Sequence, residues 1–252
     1  MTVTLGWGLA FALVALLAIA ITADRLGHFG LARQQAVAAV RAVAQLAVVS
    51  LVVAAAASTV WGALAFAVVM YAVAIITTAR RTATTHAWPW VSLALALGVV
   101  PVEVAVFASG AAPLSGIAII ALCGIVIGNA MTAHTLVGRR CFAELRSQRG
   151  AYEAGLSLGF GRSRSIGLVL DPVIKEALIP NLDQTKTVGL VTLPGAFIGV
   201  LLGGGSPIQA GAAQILVLLG IMACQAVVVL VATRLMRAGR LLPDDLKLSL
   251  HR

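Results

Sequence analysis

Residues 91–109 read VSLALALGVVPVEVAVFAS, a run in which Glu103 is the only charged residue. A helix of about 20 such residues crosses the roughly 30 Å hydrocarbon core of a bilayer. Six further segments share this apolar character: Leu5–Thr22, Ala36–Ala57, Val60–Thr78, Leu114–Val137, Val188–Gly203 and Gly211–Leu235. The sequence therefore predicts an all-α polytopic membrane protein with about seven transmembrane helices.

Composition excludes a soluble globular domain. Hydrophobic residues make up 60% of the 252-residue chain and charged residues 11%, and the mean hydropathy is +1.02. A soluble domain of this size exposes too much surface to carry so few charged side chains. No segment alternates apolar and polar residues like the wall of a membrane barrel. Helices are the expected form, because they satisfy their backbone groups internally.

The basic residues indicate how the chain is oriented. The formal net charge is +9, and with seven spans every Lys and Arg lies in or beside a connector on one side of the membrane. The opposite connectors, Ala57–Trp61, Gly110–Pro113 and Gly204–Gln209, contain none. Because basic residues are retained in the cytoplasm, we expect the N-terminus outside and the C-terminus in the cytoplasm. The charge is a topology signal, and we expect no nucleic-acid partner.

We interpret residues 1–252 as a single transmembrane domain with a cytoplasmic loop at 138–187 and a cytoplasmic tail at 236–252. Met1–Thr4 contains no Lys or Arg, so we interpret the first apolar segment as a membrane helix and not as a secretory signal. The three cysteines lack the close spacing of a metal site.

Residues 153–172, in the cytoplasmic loop, read EAGLSLGFGRSRSIGLVLDP and predict a docking element. A short helix would present a compact apolar face made of Ala154, Leu156 and Leu158. Gly159 would let the chain turn closely against a partner. Asp171 followed by Pro172 predicts the start of another helix. The alternative is a solvated amphipathic loop that binds nothing.

The same stretch resembles the "EAA" loop of ABC-transporter membrane subunits. That pattern runs Glu-Ala-Ala, three residues, Gly, nine residues and Ile-x-Leu-Pro, and the spacing is kept here, with departures at Gly155, Val169 and Asp171. The resemblance implies that the loop receives the motion of a soluble ATPase. The implied coupling residues are Glu153, Ala154, Gly155, Leu158 and Gly159.

Further segments are similar to the FetB-like permeases, the membrane subunits of a bacterial iron-export ABC system related to a plant aluminium-tolerance half-transporter. These segments are Gly128–Met131, Leu156–Gly159 and Leu178–Gly195. The resemblance extends from about Gly124 to the last residue. It implies a permease for ATP-driven export of iron, or of another metal or small solute, across the cell membrane.

The sequence contains no phosphate-binding loop of its own. Such a loop places glycines ahead of Gly-Lys-Ser/Thr, whereas the single Lys-Thr pair, Lys186-Thr187, follows Gln184-Thr185. We therefore predict that the chain is not an enzyme and binds no cofactor. ATP and Mg would lie on a cytoplasmic P-loop ATPase subunit. Seven spans make half a translocation pathway, so we expect a homodimer of permease chains.

Polar and sulfur-containing side chains within spans are candidates for the pathway, because such groups are costly in lipid. Cys123, Met131 and His134 follow helical spacing in the fifth span, and such groups suit a soft or borderline metal in transit. Glu103 is the only acid in a predicted span. We predict a pathway along Asn129, Met131, His134 and Glu103, without a fixed metal site. Ordinary helix packing is the alternative.

Pro194 and Gly195 interrupt the sixth span and, with Gly199, predict a moving hinge. The alternative is a static bend. The four-residue spacing of these glycines also allows close helix contact, either in a dimer seam or in ordinary internal packing.

A second function class stays open at this stage. In a motor-independent secondary transporter or channel, Glu103 and His134 would carry protons or cations, and flux would need no ATPase. An intramembrane enzyme is disfavoured, because no zinc-type His-Glu pair, Ser-Lys dyad or pair of membrane aspartates occurs.

Overall fold

The computed structural model describes residues 6–250. Leu5 of the first predicted span and residues 251–252 of the predicted tail lie outside this range. Every regular element of the described chain is helical, and six of its helices are long and apolar enough to cross a membrane. The all-α membrane fold is therefore confirmed. The chain divides into two compact units, one up to Ser58 and one from Thr59 onward.

The first unit is a pair of apolar helices, α1 (Trp7–Leu26) and α2 (Ala32–Ala56). Asp24 organises the turn between them, because its carboxylate accepts hydrogen bonds from the backbone N–H groups of Leu31 and Ala32, each at 2.9 Å. These bonds satisfy donors that the first turn of α2 leaves free. They also place a negative charge at the positive end of the helix.

The second unit contains the remaining helices. They are α3 (Val60–Arg81), α4 (Trp88–Ala108), α5 (Gly116–Ser147), α6 (Arg149–Ser157), α7 (Arg162–Leu170), α8 (Ile179–Thr187), α9 (Gly195–Leu202), α10 (Pro207–Arg237) and α11 (Asp244–Ser249), with short 3-10 helices at Thr85–Ala87 and Ile174–Ala177. In this unit α5 is central, and α3, α4 and α10 pack against it.

Three of the long helices start at a side-chain cap. Thr59 accepts a hydrogen bond from the Gly62 N–H at 3.0 Å and so begins α3. Ser115 begins α5 in the same way. At α10, Ser206 and Gln209 form a reciprocal capping box before the apolar run. These caps satisfy N–H groups that would otherwise lack partners.

Small residues allow the long helices of the second unit to approach closely. A Cβ added at Gly98 of α4 would lie 2.4 Å from Val228 Cγ2 and 2.9 Å from the Cys224 carbonyl oxygen of α10. Ala130 and Ala133 of α5 are fully buried. In lipid, where hydrophobicity does not drive helices together, such packing supplies much of the attraction.

The sixth predicted span, Val188–Gly203, is wrong as a continuous helix. Residues 188–194 are irregular, and Pro194 precedes α9 instead of lying inside it. Gly189 adopts a left-handed conformation with φ +81, and a residue before proline avoids the helical region. Both features stop α8 from continuing into α9.

The interrupted segment nevertheless carries the chain back across the second unit, so that α10 can start near the same end as α5. Cys224 Sγ of α10 lies 4.0 Å from the Val126 carbonyl oxygen of α5, and Gln225 lies beside Asn129. Gly98 of α4 lies against Cys224 of α10, and Gly220 of α10 lies against Val102 of α4, so these two helices run in opposite directions. Helices α4 and α5 pack together across a short turn, so α5 and α10 run in the same direction and the chain between them must travel back along their length. Helix α8, residues 188–194 and α9 make that return.

The predicted loop at 138–187 is largely helical. Helix α5 continues past Val137 to Ser147, and α6, α7 and α8 follow it. The predicted helix start at Asp171-Pro172 is wrong, because Asp171 ends α7 and the next helical turn begins at Ile174. The Asp171 carboxylate pairs with Arg237 of α10 instead of capping a new helix.

Candidate functional site

The first candidate site is the α6–α7 hairpin at the basic end of α5 and α10. Gly159 forms its turn with φ +83. The Phe160 N–H donates to the Gly155 carbonyl at 3.0 Å, and the Gly159 N–H donates to the Leu156 carbonyl at 2.9 Å. This is a Schellman motif, in which glycine takes the left-handed position at low cost. The glycine predicted to turn the chain does so.

Gly155 has a packing role inside the hairpin. A Cβ at this position would lie 2.9 Å from Ser165 Oγ and 3.2 Å from Leu168 Cδ1 of α7. The position where the EAA pattern carries alanine is thus buried against the second helix. The departure from that pattern lets α6 and α7 approach more closely.

The outer surface of the hairpin differs from the predicted apolar face. Glu153, Ala154, Leu158 and Gly159 are exposed, and Leu158 is 74% exposed. Leu156 instead packs against the buried core. The exposed surface of the hairpin therefore consists of the protruding Leu158, two small residues and the acid Glu153. The Glu153 carboxylate pairs with Arg149 at 2.8 Å.

Long-range contacts tie the hairpin to the ends of the long helices. Buried Tyr152 of α6 donates a hydrogen bond from its hydroxyl to the Leu250 carbonyl at 2.7 Å. Ile166 and Leu170 of α7 are fully buried. Three ion pairs join the surrounding segments: Asp171–Arg237, Arg146–Asp245 and Arg140–Glu176. These contacts attach α6 to the tail and α7 to α10, and they join α5 to the tail and to the helical turn after α7.

The second candidate site is a cluster of side-chain amides between α5, α8 and α10. Asn181 Nδ2 donates to Gln225 Oε1 at 3.1 Å, and Gln225 Nε2 donates to Asn129 Oδ1 at 3.3 Å. Thr185 donates to the Asn181 carbonyl at 2.8 Å. These residues line or adjoin a cavity of about 120 Å³ that Gln184 also lines. The cluster is a polar junction at the point where the interrupted return segment meets two spans.

Sequence reasoning found Asn129 but missed Asn181 and Gln225. The available signal was weak: Gln225 is one of three glutamines in the apolar helix α10, and Asn181 lies in a polar stretch after Pro180. Only the fold brings these residues together, because nearly a hundred residues separate Asn129 from Gln225.

The predicted pathway residues do not share one environment in the structure. Asn129 faces α10 through the amide cluster, and Met131 is half-buried beside the core. His134 is fully buried, and neither ring nitrogen has a hydrogen-bond partner within residues 6–250. Cys123 lines a different cleft, together with Glu103. The structure therefore does not bring the four predicted pathway residues into one site.

Metal-ligating side chains do not converge in the described chain. Residues 6–250 contain no group of three or more His, Cys, Asp or Glu side chains that could hold a metal ion. The three cysteines in this range are free and buried.

The predicted hinge residues lie at the break between α8 and α9. Pro194 is extended, with ψ 159, and precedes Gly195, the first residue of α9. A Cβ added at Gly195 or Gly199 would meet nothing within 4 Å. Neither glycine is required by close packing within the described chain, and the hinge stays a prediction.

The long apolar helices, the caps and the polar junction define a polytopic α-helical membrane protein. The chain belongs to the uncharacterised protein family UPF0014, whose family model matches residues 6–239. No solved structure matches the chain.

Relatives of the chain are membrane proteins from bacteria and plants. The chain is 38% identical over 114 residues to the UPF0014 membrane protein YjkA of Bacillus subtilis, covering 45% of this chain and 46% of the relative. It is 34% identical over 109 residues to the probable iron export permease protein FetB of Escherichia coli, covering 43% and 42%. It is 35% identical over 117 residues to the UPF0014 membrane protein STAR2 of Oryza sativa, covering 46% and 41%. The matched segments thus span less than half the length of each of these relatives.

Proposed function

We propose that this chain is the permease subunit of an ABC exporter in the cell membrane, driven by a separate cytoplasmic ATPase. The observation that carries the proposal is the α6–α7 hairpin. It keeps the spacing of a coupling loop, presents an exposed leucine at its turn and is anchored to α5 and α10. Membership of UPF0014, with a relative named as a probable iron export permease, supports the same function.

The hairpin has the shape of a knob for a groove on a partner. Leu158 protrudes beside Ala154 and Gly159, which add little bulk around it. An aliphatic side chain seated in a pocket of the partner can form the buried centre of an interface. The P-loop ATPase would bind ATP and Mg, and the permease chain would contribute neither ligands nor catalytic residues.

Two permease copies complete the proposed assembly. The irregular segment at 188–194 exposes Leu190 and Val191, at 88% and 78%. Non-helical backbone is tolerated at membrane depth only when protein or a water-filled cavity covers it. A second copy of the chain would supply that cover, and the amide cluster would lie near the resulting pathway. The cargo would be iron, or another metal or small solute.

Co-purification tests the coupling role of the hairpin. The tagged full-length chain is extracted from its membrane, and bound P-loop ATPases are identified by mass spectrometry. Leu158→Lys should reduce the recovered ATPase at least about tenfold, which corresponds to about 1.4 kcal/mol. The same variant, reconstituted with the ATPase, should lose stimulation of ATP hydrolysis.

Leu248→Lys provides the matched control, because Leu248 is an equally exposed leucine on α11. It should bind and stimulate the ATPase like the unmodified chain. Full binding and stimulation by Leu158→Lys would show that the hairpin does not couple the two subunits.

A further inference from the structure

Glu103 is an acid within a span that neither the hairpin nor the amide cluster uses. It lies on α4, two residues after Pro101. Both carboxylate oxygens are buried, and neither makes a hydrogen bond of normal geometry in the described part of the chain, with the Cys123 thiol of α5 beside them. An acid inside the membrane is costly and is therefore a candidate for ligand binding.

The acid belongs to the wall of a cleft between α3, α4 and α5. The cleft has a volume of about 330 Å³, within the range of small-molecule sites. Its remaining lining is aliphatic except for Cys123 and Tyr71. The Tyr71 hydroxyl already donates to the Ser92 carbonyl at 2.6 Å. The cleft therefore combines one unpartnered carboxylate with an almost wholly apolar surface.

The chemistry of this lining does not suit a bare metal ion. Such an ion needs several oxygen, nitrogen or sulfur ligands around it, and Glu103 and Cys123 supply two. The aliphatic walls suit the apolar body of an organic molecule instead.

The cleft opens sideways between two spans. Its rim residues Val68, Val100 and Val104 are each more than half exposed. Because α3 and α4 are membrane-crossing helices by length and hydropathy, this opening faces the apolar environment around the second unit. A ligand that partitions into the bilayer can reach it directly.

We propose that this cleft binds a hydrophobic organic cation taken from the bilayer. Glu103 supplies the counter-charge, and the aliphatic walls cover the apolar body of the ligand. A charge pair is stronger in such low-dielectric surroundings than in water. The inference rests on the proposed permease function and names a substrate class for it. A neutral or anionic molecule of the same shape would leave the carboxylate without a partner.

Cys123 is buried but lines the cleft, so a reagent that enters the cleft reaches its thiol, and protection of Cys123 from alkylation tests the site. The full-length chain is purified in lipid nanodiscs, treated with a small membrane-permeant alkylating reagent and digested for peptide mass spectrometry. Tetraphenylphosphonium is the probe, and tetraphenylborate, with the same shape and opposite charge, is its control. The cation should slow modification of Cys123 at least about tenfold relative to the anion. Modification of a reporter cysteine introduced by Val73→Cys, exposed on α3 outside the cleft, should not change.

Two variants separate charge from shape, and a third is their control. Glu103→Gln should abolish the difference between the two ions while Cys123 stays reactive. Ala96→Phe, which fills the cleft without altering its charge, should remove protection by the cation. Leu93→Phe, on the same helix but outside the lining, should leave protection unchanged.

Equal protection by the cation and the anion would overturn the proposal, and so would full protection in Glu103→Gln. The assay contains no ATPase, so its outcome does not depend on the coupling hairpin. Conversely, loss of ATPase binding in Leu158→Lys would leave cation protection intact.

Discussion

At the scale of single residues, the structural role of each glycine depends on its backbone conformation and on the atoms that surround it. Gly159 is needed for its left-handed backbone, Gly155 for the contact between α6 and α7, and Gly98 for the contact between α4 and α10. Gly128 meets nothing within 4 Å. Sequence spacing alone treats these four positions alike, since it shows small residues but not their neighbours.

Replacing Gly98 by alanine should destabilise the second unit. The new methyl group would overlap Val228 Cγ2 and the Cys224 carbonyl oxygen, and overpacking of this kind costs about 1–3 kcal/mol. Thermal unfolding in detergent should show a lower Tm. Gly128→Ala, also within a helix, should keep or slightly raise the Tm, and an equal loss in both variants would contradict the packing explanation.

The amide cluster makes a second prediction at this scale. Gln225→Leu leaves the Asn181 amide without its acceptor, and an unpaired buried polar group costs about 1–3 kcal/mol. Asn181→Leu should have a similar effect. Because the two side chains share a hydrogen bond, the double variant should lose less stability than the sum of the single losses. Simple additivity would show that the bond has no energetic role.

At the scale of elements, ion pairs and apolar contacts join short helices to the ends of long ones. Helix α11 is held to α5 by the Arg146–Asp245 pair at 2.7 Å and by buried Leu246. Tyr152 adds a hydrogen bond between α6 and the end of the described tail. The exposed ion pairs contribute little individually, so the apolar contacts carry most of the attachment.

The tail attachment should depend on pH. The hydrogen bond from Arg146 holds the pKa of Asp245 below its ordinary value. The stabilisation is therefore present above the unfolded-state pKa of about 4 and is lost as pH falls through the lower folded-state pKa. Since both partners are about half exposed, the effect should stay below about 1 kcal/mol. Unfolding of the unmodified chain and of Asp245→Asn should differ at pH 7 and converge in acid; a difference that persists in acid would contradict this assignment.

At the scale of the whole molecule, the parallel course of α5 and α10 requires a return segment between them. Helix α9 packs on the first part of α10 and is about 12 Å long. The irregular segment at 188–194 therefore lies well inside the ends of these helices. The exposed side chains of Leu190 and Val191 and the non-helical backbone give this surface the character of an incomplete interface.

Cysteine cross-linking tests the proposed second copy. Leu190→Cys should form a disulfide-linked homodimer when membranes are oxidised, because symmetric copies would place the two segments together. The unmodified chain, which keeps the three native cysteines, is oxidised in parallel and should stay monomeric. Val73→Cys, on an exposed face of α3, is the control and should stay monomeric. Equal cross-linking of both variants, or of neither, would contradict an interface at this segment.

The sequence by itself determined the membrane class, the helical form and most helix positions, since these follow from local hydropathy and length. It also located the turn at Gly159, because glycine spacing is local information. Tertiary structure alone decided that α8 and α9 are separate, that Asp171 pairs with Arg237, and that Asn181 and Gln225 join Asn129. These features depend on contacts between residues far apart in the chain, and no local pattern specifies such partners.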